Sequence, residues 1–109
     1  MACDEGVAQR LREVFAPYSE VDEKKMFGGL AFMLSGHMCC GIVGEELMAR
    51  VGAEQYQEAL VLPHARPMDF TGKPLTGFVY VGVMGFETDA DLNAWVMRCM
   101  QFVKSLPPK

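Results

Sequence analysis

At 109 residues, half of them hydrophobic, the chain is long enough for one self-sufficient core, too short for two, and too apolar to stay disordered. Ten Lys and Arg against fourteen Asp and Glu leave a net charge of −4, the wrong sign for a protein whose main task is to neutralise phosphates, so direct nucleic-acid binding is disfavoured. The opening Met1-Ala2-Cys3-Asp4-Glu5 is acidic and no apolar run follows it, so no export signal is expected. The expectation is therefore a single cytoplasmic domain over residues 1–109, with Cys3, Cys39, Cys40 and Cys99 held as thiols.

Asp4 is placed to cap a first helix, in which Val7, Ala8, Leu11, Val14, Phe15 and Tyr18 recur at helical spacing, and Pro17 ends it. From Met26 to Gly44 no residue carries a formal charge, but Ser35-Gly36-His37 and five glycines argue against a membrane-spanning helix. Two buried strands joined by a turn fit better. Met26–Leu34 is apolar on both period-2 faces, as in a central strand, with Phe27, Ala31 and Met33 facing one way and Met26, Leu30 and Phe32 the other. Met38–Val43 and Leu47–Val51 complete an antiparallel meander.

Residues 52–60 read as a short helix carrying Tyr56, Ala59 and Leu60, and a Pro-bounded loop runs from Pro63 to Pro67. Met68–Phe70 and Leu75–Val83 form a second strand pair about the turn Thr71-Gly72-Lys73-Pro74. Thr88 caps a last helix whose stripe is Leu92, Trp95, Val96, Cys99, Phe102, Val103 and Leu106. The fold class is α+β: order α-β-β-β-α-β-β-α, with a five-stranded, mainly antiparallel sheet carrying helices on one face.

Several separated motifs carry a resemblance over essentially the whole chain. Lys25-Met26-Phe27-Gly28-Gly29, Leu47-Met48-Ala49-Arg50-Val51, Arg66-Pro67-Met68-Asp69-Phe70 with Gly72-Lys73-Pro74, and Trp95 in the last helix are similar to the TfoX/Sxy N-terminal-domain family. Met38-Cys39-Cys40-Gly41 and the Pro-Pro-Lys ending look like its stand-alone members. The resemblance implies a fold like that of type III secretion chaperones and a link to regulators of natural competence, which assist transcription by the cyclic-AMP receptor protein. It supplies no catalytic residues and no cofactor.

Chemistry in the residues themselves is sparse. His37, Cys39 and Cys40 are the densest set of soft-metal ligands, yet adjacent strand residues point to opposite faces, so Cys39 and Cys40 are read as packed thiols, with a redox or metal sensor as the alternative. Gly72-Lys73 lacks the earlier glycine of a phosphate-binding loop, since residue 67 is Pro. His64, Arg66 and Lys73 are a candidate interaction or anion-binding surface. No serine lies in a nucleophile elbow, and neither His37 nor His64 has a partner placed by sequence. The nine methionines, Met26, Met33, Met38, Met48 and Met84 among them, belong by default to strand cores. Because both strand faces are apolar while the helices cover one, the reading is a non-catalytic interaction module, with a homodimer hiding the second face and the protein partner unidentified.

Overall fold

The first helix, α1 (Glu5–Phe15), starts where Asp4 turns its carboxylate back to accept from the Val7 amide at 3.1 Å, satisfying one of the free N-terminal donors of the helix. The Asp4 amide itself donates to the Gly44 carbonyl at 2.6 Å, pinning this end of α1 to the sheet. The structure is a computed structural model that describes residues 4–26, 28–69, 72 and 75–107. Val7, Ala8, Leu11 and Phe15 form the buried stripe of α1, and the Phe15 ring stacks on Phe32 at 5.3 Å between centroids.

Six strands, not five, build one antiparallel sheet: β1 (Val21–Met26), β2 (Gly29–Leu34), β3 (His37–Val43), β4 (Glu46–Arg50), β5 (Ala65–Pro67) and β6 (Phe78–Val81), in spatial order β1-β2-β3-β4-β6-β5. The additional strand is β1. Asp22, Glu23, Lys24 and Lys25 are all exposed, so no alternation marks the segment, and pairing with β2 makes it a strand. Gly28, at φ +74°, belongs to the turn that separates β1 from β2, a conformation that glycine adopts without a Cβ penalty. Met26 therefore ends β1 and packs with Ala31 and Met33, where an unbroken strand would have set it on the other face. Phe27 and the turn residues Thr71, Lys73 and Pro74 lie outside the described residues.

The second strand pair is also shifted. Strand β5 comes from within the Pro-bounded loop, β6 stops at Val81, and Val83–Phe86 is a 3-10 turn rather than the end of a strand. Residues 52–60 are helical only over α2 (Tyr56–Leu60). Helix α3 (Asp89–Lys104) begins as expected, with Thr88 Oγ1 accepting from the Asp91 amide at 3.1 Å and two acidic residues in the first turn.

The two faces of the sheet carry two apolar clusters. On the helix side, α1, α2 and α3 bury Phe32, Leu34, Leu47, Ala49, Val79 and Val81 beneath Leu11, Phe15, Ala59, Leu92, Trp95, Val96 and Val103. The opposite face gathers Ala31, Met38, Met48 and Tyr80 with Met68, and Met26, Met33, Val43, Leu75 and Phe78 around them. Composition alone left that face to be hidden by a second copy, and Met68 and Leu75 from the segment between β5 and β6 of the same chain join the cluster there. Among the described residues, no helix is long and apolar enough to cross a membrane.

Candidate functional site

Large apolar side chains that remain in water are few among the described residues: Val61, Val83, Met84 and Met97. One of these, Met84, lines a groove. Leu62, Pro63 and His64 form one wall, Met84 and Gly85 a second, and Asp91, Ala94, Trp95 and Arg98 of α3 the third, enclosing about 340 Å³. Met84 is 60% exposed, whereas Trp95 is only 6% exposed, so the groove combines a buried indole with an apolar side chain that remains in water; Val61, 81% exposed, precedes the lining residue Leu62. A wider cleft between α1 and α3 has a mixed lining, in which Arg10, Glu13, Asp89 and Asn93 alternate with apolar groups such as Val14, Leu92 and Met97.

The local sequence explains the groove's shape. Three apolar residues, Leu60-Val61-Leu62, follow one another where α2 ends, and Leu60 and Leu62 pack against the core while Val61 does not. His64 takes φ +68°, uncommon and strained for a residue with a Cβ, and its carbonyl accepts from the Gly82 amide at 2.9 Å. Gly85 allows the 3-10 turn to approach so closely, since a Cβ there would lie 2.6 Å from Val81 Cγ1 and 3.1 Å from His64 Cβ. On α3, the Arg98 guanidinium lies 6.0 Å from the Trp95 ring, donates to Gln55 Oε1 at 2.8 Å and sits 3.6 Å from Glu58.

The thiols are arranged differently from the expectation. Phe32 pairs with Cys40 but Met33 pairs with Met38, so a β-bulge leaves Cys39 without an opposite residue. Cys39 and Cys40 thereby both enter the helix-side core, where Cys99 of α3 joins them, instead of pointing to opposite faces. All three are free thiols with no exposed surface. Cys40 is held well above the ordinary thiol range by its hydrogen bond to Cys39 and then by burial, and Cys99 is raised by burial and then by Cys39. These are conditions that keep a thiol protonated and unreactive. Among the described residues, no three His, Cys, Asp or Glu side chains come together in a way that could hold a metal ion.

His64 and Arg66 face different parts of the molecule. His64 lines the groove beside α3, whereas the Arg66 guanidinium lies 4.7 Å from the Tyr80 ring on the opposite face and pairs with Glu46 of β4. Lys73 lies outside the described residues. His37 sits at the start of β3, where its Nε2 donates to the Pro107 carbonyl at 2.6 Å and ties down the segment after α3. Of the signature residues, Lys25 is exposed on β1, Gly29 and Trp95 are buried, and Gly72 is exposed at φ +86°. Met84, expected in a strand core, is instead a surface residue because its segment turns into a 3-10 helix.

The groove draws on segments 62–64, 84–85 and 91–98, and no sequence spacing announces that these meet. The one local signal was Leu60-Val61-Leu62 at a helix end, where successive residues cannot all face the core. Against known proteins, the model of the TfoX N-terminal domain matches residues 13–103. No curated protein sequence gives a significant match.

Proposed function

The chain belongs to the TfoX N-terminal domain family, and on that premise we propose that it is a non-catalytic regulatory module that binds a protein partner through the groove between α3 and the 62–64 turn. The observation that carries the reading is Met84, 60% exposed, on a cleft that the buried Trp95 also lines, with Val61, 81% exposed, next in sequence to the lining residue Leu62. Surface methionine adapts to irregular partners, and a tryptophan at the base of a pocket is the kind of group on which binding energy concentrates. The cytoplasm is the proposed setting, because Cys39, Cys40 and Cys99 are reduced thiols, as suits a compartment that keeps them so. Regulation of transcription by contact with another protein, rather than with DNA, agrees with the net charge of −4.

Val61→Glu and Met84→Glu test the reading, since neither residue is part of the core. Immobilised wild-type domain should retain a partner from native lysate that both variants lose, with thermal midpoints unchanged. Equal retention by wild type and both variants would remove the groove as the contact surface.

A further inference from the structure

The two edges of the sheet are unlike. At one end β5 has only three residues and finishes in Pro67, which has no amide hydrogen to donate, so that edge is blunted against further strands. At the other end β1 runs for six residues with no proline and pairs with β2 in unbroken register from Val21↔Leu34 to Met26↔Gly29. No bulge twists this edge away. Exposed lysines on an edge discourage indiscriminate pairing, but here two acids precede two bases, Asp22-Glu23-Lys24-Lys25, and an antiparallel copy of that pattern brings acid opposite base.

We infer that two copies of this chain associate edge to edge through β1, antiparallel about a two-fold axis that passes beside Glu23, so that Asp22 of each copy faces Lys24 of the other. A two-fold perpendicular to the sheet keeps each side chain on its own face, so only registers that oppose residues of like parity are available. The register centred on Lys24 forms as many acid–base pairs, Glu23 with Lys25 twice, but it leaves Asp22 against Met26 and sets Lys24 against Lys24, and among the described residues no carboxylate is paired with Lys24. Centring on Glu23 gives two Asp22–Lys24 pairs on the face that Ala31 and Met33 share. On the helix face it brings together two Glu23 carboxylates, each already held by Arg12, whose Nε and Nη2 donate at 2.8 and 3.0 Å. The like charges at the axis therefore arrive with their counter-charges, and the Glu23 register is the one that the charges favour.

A seam of one strand from each chain is a small contact, so the dimer belongs with the weak associations, formed between about 10 µM and 1 mM. Sedimentation equilibrium on the full chain over that range measures it. Lys24→Asp alone should weaken dimerisation about tenfold by placing acid against acid twice, and Asp22→Lys with Lys24→Asp together should restore it to within about threefold. All four charged positions of β1 are exposed, so circular dichroism and thermal midpoints should be unchanged in both variants. Raising the salt to ~0.5 M should weaken the wild-type dimer, and Met84→Glu, at the distant groove, should not. A monomer throughout the range, a dimer indifferent to Lys24→Asp, or a single-variant loss that the double variant does not restore would each overturn the inference.

Discussion

Phe102 closes over Gly52 so tightly that a Cβ at residue 52 would lie 2.6 Å from the ring Cε1, closer than real Cβ atoms come. Gly52 also holds φ +86°, and its amide, with that of Val51, donates to the Gly77 carbonyl at 3.1 and 2.8 Å. The exit of β4, the strand-leading turn at Gly77 and the last turns of α3 thus meet at one point, where absence of a side chain is required twice over.

Gly52→Ala is therefore expected to destabilise the domain by about 2–4 kcal/mol, combining the left-handed backbone penalty with displacement of the ring. The measurement is the urea midpoint at unchanged slope. A midpoint like that of wild type would mean that Phe102 swings away freely and does not hold the C-terminal turns of α3.

Trp95→Ala should cost about 3–5 kcal/mol, a large share of the ~5–15 kcal/mol that holds a domain together. Trp95 is 6% exposed among Leu92, Val96 and Cys99 of the helix-side core, and the truncation would leave a void between α3 and the sheet. Chemical denaturation followed by far-ultraviolet circular dichroism checks it, since the fluorophore is lost. A change below about 1 kcal/mol would place the indole outside the core.

What could be read from the sequence was whatever local chemistry enforces. Asp4 and Thr88 cap their helices as their side chains dictate, and the apolar stripes of α1 and α3 face the sheet because their spacing matches the helical period. Strand β1 has no mark in the sequence because pairing alone, not burial, makes Asp22–Lys25 extended, and β5 has none because three residues offer no period. The shared orientation of Cys39 and Cys40 depends on a bulge, one extra residue in β3, which leaves no mark in composition. Membership in the family was legible from motifs spread along the chain, whereas the groove was not, since its walls lie some thirty residues apart and meet only when α3 packs.

Arg66 offers a contrast with Trp95. It stacks on Tyr80 and pairs with Glu46, but the Arg66 side chain is 49% exposed, and contacts of this kind contribute little once water screens them. Arg66→Ala should lower stability by no more than about 1.5 kcal/mol, measured in urea. A loss approaching that of Trp95→Ala would show that the pair braces β5 against β4 across the sheet.

The three core thiols should be silent toward a thiol reagent in the native state and should make stability depend on alkaline pH. Native-state labelling of Cys39, Cys40 and Cys99 requires opening of the core, so it should run orders of magnitude slower than in denaturant. Cys40 and Cys99 ionise at higher pH in the folded protein than in the unfolded chain, Cys40 through its bond to Cys39 and burial, Cys99 through burial and Cys39. Above about pH 8.5 the unfolded thiols lose protons that the folded ones retain, so the unfolded state gains and stability falls. Their contribution is complete below that pH and is lost progressively as pH rises toward the folded values. Thermal midpoints in reductant should therefore be level from about pH 7 to 8 and decline above it, more steeply in wild type than in the Cys40→Ala, Cys99→Ala double variant. Parallel slopes in the two proteins, or labelling of the native chain as fast as that of the unfolded one, would show that these sulfurs are not sealed in the core.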